Sequence, residues 1–405
     1  MSGAALELLD LIARWVHVIA GIMWIGNSML FNWLDRNLRP RPESDSYGDI
    51  WLIHSGGFYL VEKNKGERVP GGLRLPNPLH WFKWQAYTTW LSGAALLVIV
   101  YYLGGRALLV DPGRAPVSAA LGVAIAIGTI VGAFLLYEAV WRTIGRVKPI
   151  VAGGVSLALL LGAVELLLRT LSGRAAFLHV GAILGTIMAG NVAFTIMPSQ
   201  RELVAALCAG REPSQEIADR AKTRSIHNNY LTFPVIILMM AAHFPSLYAG
   251  RGDLTLLTLI AAGAAVRHVL NIRFTYRRWK PALAAVLVTG AAMLAVELGV
   301  FGRGSAAQST DSAPLPARAD FADVHRVIDR RCAACHSATP SDISLGVMPA
   351  GVAFDTPEQI RALASRIQER AVVQRTMPPG NKTRITEEER ALLARWIADG
   401  APLRQ

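Results

Sequence analysis

Before position 302 the apolar residues gather into eight windows, each long enough to cross a bilayer at about 1.5 Å per helical residue. They are 11–34, 84–103, 117–137, 150–168, 175–197, 231–249, 254–272 and 281–301. After 302 such windows disappear. The chain is 52% hydrophobic and only 17% charged, with a mean hydropathy of +0.35, which is wrong for an ordinary soluble protein. The formal net charge of +12 raises the question of nucleic acid. Most basic residues, however, sit in the gaps between the windows, as membrane topology requires, so the expected partner is the lipid bilayer and no nucleic acid.

The odd-numbered gaps hold 20 Lys and Arg and the even-numbered ones 5. Basic loops stay on the cytoplasmic side, so eight spans place both termini outside. No basic leader precedes the first window, which is too long for a signal-peptide core and reads as a retained span. Residues 1–301 therefore form a membrane domain. Residues 302–320, GRGSAAQSTDSAPLPARAD, have the composition of a flexible linker, and 321–405 form a small soluble helical domain. The fold class is all-α: an eight-span bundle followed by a small helical domain. Within the bundle, WVHVIAGIMWIGN (15–27) pairs with FLHVGAILGTIMAGN (177–191), WQAYTTW (84–90) with HNNYLTF (227–233), and AVEL occurs at 163–166 and 295–298. The order of these matches predicts a parallel duplication of four spans plus four.

Cys332-Ala-Ala-Cys335-His336 is the most specific signal in the chain. Thiols three residues apart can form thioethers to one porphyrin, and the adjacent imidazole becomes an axial iron ligand. A thioredoxin-like pair needs no histidine and expects a βαβ context. A zinc site wants two more ligands, and only His325 is near. The motif thus predicts one covalent haem c, attached outside the cytoplasm, and makes 321–405 a small α-helical domain of class I cytochrome c type. Met377, in Thr-Met-Pro-Pro-Gly, is the expected sixth ligand, with Met348 in Val-Met-Pro-Ala as its competitor. Thr356 with Gln359 and Thr386 with Glu389 read as capping boxes opening two helices, and Gly400 as the end of the second.

Ionisable groups inside spans are functional candidates. The windows put His17, His179, His243, Glu165 and Glu297 in the outer half. Arg267 and His268 lie toward the inner side, with Glu138, His80 and His227 at the inner boundary. His17 and His179 occupy matched repeat positions: they either ligate an additional b-type haem or carry protons, or they are structural groups bonded between helices. In the first gap, IWLIHSGGFYLVEK (50–63) reads as two short strands around Gly56-Gly57. Trp51, His54, Phe58 and Tyr59 beside several cations suit a flat anion; the alternative is a hairpin packed on the base of the bundle.

Taken together, WVHVIAGIMWIGNSMLFNWLD, HSGGFYLVEK, CAACH and TMPPGNKTRITEEERALLARWIADGAP resemble the bacterial membrane-bound urate oxidases, in which an eight-span domain is joined to a cytochrome c. The resemblance implies oxidation of urate to 5-hydroxyisourate in purine catabolism. Electrons would pass through the haem to a soluble cytochrome c or terminal oxidase at the bacterial inner membrane, with the cytochrome domain periplasmic. It assigns Cys332, Cys335, His336 and Met377 to the haem. His54, Gly56, Gly57, Tyr59 and Glu62 match the loop motif without an assigned role, so His54, Tyr59, His17 and His179 stand as catalytic candidates. Urate bound on the inner side needs an electron relay across the bilayer; urate bound outside, near His17, His179 and His243, does not. Two other functions compete: a non-catalytic conduit from quinol to cytochrome c, and a transporter with a cytochrome appendage.

Overall fold

A computed structural model describes residues 3–41, 46–64, 68–69, 72–73, 79–104, 106–111, 117–244, 246–249, 252–298, 300, 319–342 and 352–403. The chain is mostly helical. Helix α1 (Gly3–Asn37) leads into an antiparallel hairpin of β1 (Ser46–His54) and β2 (Gly57–Asn64). α2 (Trp84–Leu96) continues as a π-helical stretch to Gly104 and is followed by the short α3 (Arg106–Leu109). Next come α4 (Ala119–Arg142), the turn α5 (Ile144–Val147) and α6 (Pro149–Thr170). α7 (Gly173–Asn191) runs through a π-helical turn, Val192–Ile196, into α8 (Met197–Cys208). α9 (Gln215–Met240), α10 (Ser246–Ala249), α11 (Gly252–Ile272) and α12 (Trp279–Glu297) complete the bundle.

Among the described residues, seven helices are long and apolar enough to cross a membrane. Their outward faces bear large exposed apolar side chains. α12 buries none of its residues, and Ile150 of α6 is 90% exposed. An apolar helix with an apolar exterior is suited to lipid rather than water. α7 occupies the centre, with Phe177, His179, Ile183 and Asn191 all buried. Its start is fixed locally: the Ser172 hydroxyl accepts from the Ala175 amide at 3.2 Å, and the Ser172 amide donates to the Leu109 carbonyl at 2.9 Å, tying α7 to the end of α3.

The window expected as a span at 231–249 is built differently. α9 begins at Gln215 and ends at Met240, a 3₁₀ turn covers Ala241–His243, and α10 follows. The segment 198–230, expected as a loop, is helical in α8 and the first half of α9. The physical reason is that the polar residues of α9 find partners on neighbouring helices. Asn228 accepts from Asn191 at 2.8 Å, and Asn229 accepts from Arg267 at 3.0 Å and Asn271 at 2.6 Å. Paired in this way, these groups belong to the bundle rather than to solvent.

The hairpin in the first gap is present, with its turn one residue earlier than read, at Ser55 and Gly56. Both have positive φ, 51° and 74°, as the two-residue primed turn demands. It does not rest on the base of the bundle. Trp51, Ile53, Phe58 and Tyr59 are all more than half exposed, and the hairpin is tied to the end of α1 by the Arg39–Asp49 bridge and the Lys63–Asp35 ion pair.

At the opposite end of the bundle lies the C-terminal unit. The Pro379–Asn381 turn packs on α3, Arg390 is within electrostatic reach of Asp111, and Arg370 of Tyr248. Residues 302–318 of the expected linker lie outside the described residues. Residues 319–403 have their own buried cluster, including Val324, Ile328, Ile360, Leu393 and Trp396.

α9 and α11 approach closely where Pro234 lies inside α9. A Cβ added at Gly263 would stand 2.9 Å from the Pro234 backbone nitrogen. Gly263→Val is therefore expected to destabilise the bundle by about 1–3 kcal/mol. A lower thermal midpoint for the full chain in detergent checks this; an unchanged midpoint contradicts the packing.

Candidate functional site

The C-terminal unit starts with α13 (Phe321–Ile328), capped by Asp320, and passes through a π-helical turn at Asp329–Ala333. The helical path continues beyond Cys332: the amides of Cys335 and His336 both donate to its carbonyl, at 3.2 and 2.9 Å. The two thiols are thus one helical turn apart. His336 is held from behind, since Nδ1 lies 3.2 Å from the Val352 carbonyl and must donate to it. That fixes the tautomer and leaves Nε2 as the free electron pair. Burial keeps this imidazole below its ordinary pKa, so it is neutral and competent as a ligand.

Two capping boxes, both present as read, open α14 (Pro357–Ala362) and α16 (Glu387–Ala398), with α15 (Ala364–Ile367) between them. α16 packs on α13 through Phe321 and Trp396, ring centroids 5.8 Å apart, and Gly400 ends it with a φ of 87°. Met377 sits in the non-helical stretch before α16. Its amide donates to the Arg370 carbonyl at 3.0 Å, and its own carbonyl accepts from Arg390 at 3.1 Å. Met377 and Cys332 pack against the same buried cluster. Met348 lies outside the described residues.

This donor set fits a c-type haem: two thiols on one turn, an imidazole anchored through Nδ1, and a thioether from a separate loop. It does not suit a thiol-exchange pair. Burial pushes the Cys332 thiol up to about 12, whereas the attacking thiol of such a pair is a stabilised thiolate. Among the described residues, no three His, Cys, Asp or Glu side chains gather to hold a metal ion of the zinc kind.

The structure does not bring His17 and His179 to one level. His17 Nδ1 lies 2.9 Å from the Thr89 carbonyl and 3.2 Å from the Ser92 hydroxyl. His179 meets the Ala175 carbonyl through Nδ1 at 2.7 Å and the Tyr102 hydroxyl through Nε2 at 3.0 Å, so both its ring nitrogens are engaged. Ser92 and Tyr102 are ten residues apart along one helical run, roughly 15 Å at the α-helical rise. His243 is exposed in its 3₁₀ turn. Glu165 pairs with Arg169 on its own helix, and Glu297 accepts from Thr258 at 2.7 Å. His268 bonds Tyr230 at 2.8 Å. On the hairpin, His54 meets Ser55 at 2.7 Å and Tyr59 is exposed.

What the sequence did not reveal is a polar cluster at the hairpin end of the bundle. Arg224 of α9 is 2% exposed, donates to Glu138 of α4 at 2.8 Å and lies over the Tyr137 ring at 4.7 Å. Tyr137 also bonds His227 at 2.7 Å and accepts from Asn191 at 3.1 Å. In front of Arg224 opens a cavity of about 240 Å³, with Glu138, Thr195, Phe194 and Arg220 on its walls and Arg142 and Arg146 at its rim. Glu138, Thr195 and Arg224 come from three separate helical segments. The only signal in the sequence was the placement of Glu138 and His227 at the inner boundary.

A family model described as Urate oxidase N-terminal matches residues 3–298. No curated protein matches the chain. No solved structure does either.

Arg331, next to Cys332, grips Glu389 of α16 with two N–H groups at 2.9 Å and donates to the Thr383 carbonyl, so it ties the cysteine turn to α16. Arg331→Ala is expected to cost about 1.5–3 kcal/mol of stability in the C-terminal unit. Faster limited proteolysis within 319–403 of the full chain, with the bundle unaffected, is the expected result.

Proposed function

The chain belongs to the Urate oxidase N-terminal family, and on that footing we propose that it oxidises urate to 5-hydroxyisourate and passes the electrons out through a haem c in its own C-terminal unit. The reaction balances as urate plus water giving 5-hydroxyisourate, two protons and two electrons. The observation that carries the reading is the union, in one chain, of a family bundle over 3–298 with the Cys332–Cys335–His336 turn. When bound, a ferric haem c accepts one electron at a time, so each urate needs two acceptor turnovers and oxygen is not the direct oxidant.

The residues of this chain have defined tasks in that reading. Cys332 and Cys335 would hold the porphyrin through their sulfurs. The His336 imidazole, oriented by the Val352 carbonyl, and the Met377 thioether, held by the Arg370 carbonyl and the Arg390 side chain, would serve as ligands to its iron. Methionine–histidine ligation favours a high potential, which suits an electron sink. In the topology of basic loops, the C-terminal unit faces the periplasm, where a soluble cytochrome c or terminal oxidase can collect the electrons. The unit packs beside α3 and Tyr248, which that topology places on the outer side.

Two measurements test this. Urate added anaerobically to the purified full chain is expected to produce the reduced c-type absorption spectrum and one 5-hydroxyisourate for every two electrons accepted. Reduction by quinol but not by urate would overturn the reading in favour of the conduit. Met377→Ala is expected to lower the haem midpoint potential and slow electron exit, with little change from Met348→Ala; the reverse pattern would move the sixth ligand to Met348.

A further inference from the structure

We propose that the cavity between α4, the Val192–Ile196 turn and α9 is a binding site for a planar, oxygen-rich anion of the urate class. The inference rests on the functional reading above for the identity of the anion, but the site itself is argued from its walls. Four guanidinium groups line it, from Arg142, Arg146, Arg220 and Arg224, against the single carboxylate of Glu138. Glu138 is already shared between Arg142 at 2.6 Å and Arg224 at 2.8 Å. Arg146 is also paired with Glu216 at 3.7 Å, and the lining still carries more positive than negative charge.

Two of those groups also hold donors in reserve. Arg224 Nη1 and Arg220 Nε are buried and make no hydrogen bond among the described residues. Guanidinium groups whose N–H donors are not all taken up by protein acceptors are suited to hold an anion seated against them. Shape narrows the choice of anion. The space of about 240 Å³ falls just below the usual small-molecule range of about 300–1,000 Å³, enough for one small bicyclic molecule and too little for a dinucleotide. Phe194 and the Arg224 guanidinium, itself held over Tyr137, are both among its lining groups. A guanidinium plane and an aromatic ring suit a conjugated heterocycle better than a tetrahedral phosphate. The Thr195 hydroxyl adds a polar contact on a residue that is 5% exposed.

The competing occupant is a phosphate, free or on a lipid headgroup, since arginines at the edge of an apolar bundle attract both. The burial of Arg224, away from the lipid-facing surface, favours the planar ligand. The cavity and the C-terminal unit sit at opposite ends of the bundle, so occupancy can be measured apart from electron transfer.

The test is equilibrium dialysis of labelled urate against the full chain in detergent, reduced beforehand with dithionite so that no electron can leave the ligand. Arg220→Gln is expected to weaken binding at least tenfold and Thr195→Val several-fold, each in protein whose thermal midpoint is unchanged. Inorganic phosphate and phosphatidylglycerol at equal concentration are expected not to displace urate. Wild-type affinity in both variants, displacement by phosphate or lipid, or no urate binding at all would overturn the site. Urate that reduces the haem while both variants bind normally defeats the site and spares the functional reading. Binding that depends on Arg220 without haem reduction does the opposite.

Discussion

A guanidinium almost sealed inside an apolar helical bundle is tolerated only when its charge is answered nearby, and Arg224 meets that condition through Glu138. Much of the architecture around it follows from this pair. α9 must bring its polar first half alongside α4, which sets Tyr137 under the guanidinium and against His227. α7 is then enclosed, and its Asn191 can satisfy both Tyr137 and Asn228 without water. The chain of contacts runs from a single buried charge to the position of a central helix. The same guanidinium leaves its Nη1 without a hydrogen bond among the described residues, so the cluster that holds the helices together is also where the anion site is proposed.

The C-terminal unit is organised on a different principle, short-range and mostly local. Side-chain caps start α14 and α16, a positive-φ glycine stops α16, and one helical turn brings the two thiols together. Longer-range order comes from two arginines beside the cysteine turn and the methionine stretch: Arg331 clamps the former to α16, and Arg390 holds the latter. Each donates to backbone carbonyls that would otherwise be unpaired where the chain is not regular. The thiols and the thioether are thereby presented by two irregular stretches that are both anchored to α16.

Features encoded within one stretch of chain could be read from the sequence. The capping boxes at Thr356 and Thr386 and the ending at Gly400 stand where the residues placed them. The hairpin was visible from its alternating pattern and paired glycines, with the turn shifted to Ser55–Gly56 because the primed turn needs positive φ at both central residues. Seven apolar windows correspond to helices of bilayer length. What escaped were features made between distant segments. Polar residues 220–229 read as loop because hydropathy counts Arg224 and Asn228 as water-seeking, whereas Glu138 and Asn191 receive them inside the bundle. The matched positions of His17 and His179 suggested a shared ligand, yet they engage different levels of the α2 run, since repeat position does not fix depth.

Electron exit by the proposed route requires a porphyrin covalently bound to the two cysteines of the C-terminal unit. The most direct measurement is the mass of the proteolytic peptide containing Cys332 and Cys335, taken from the full chain made in a host able to mature c-type cytochromes. The account predicts that peptide with the mass of one haem added through both sulfurs, in a one-to-one ratio with the chain. Recovery of the peptide with free thiols or as a disulfide, from protein whose bundle is folded and inserted, would contradict it.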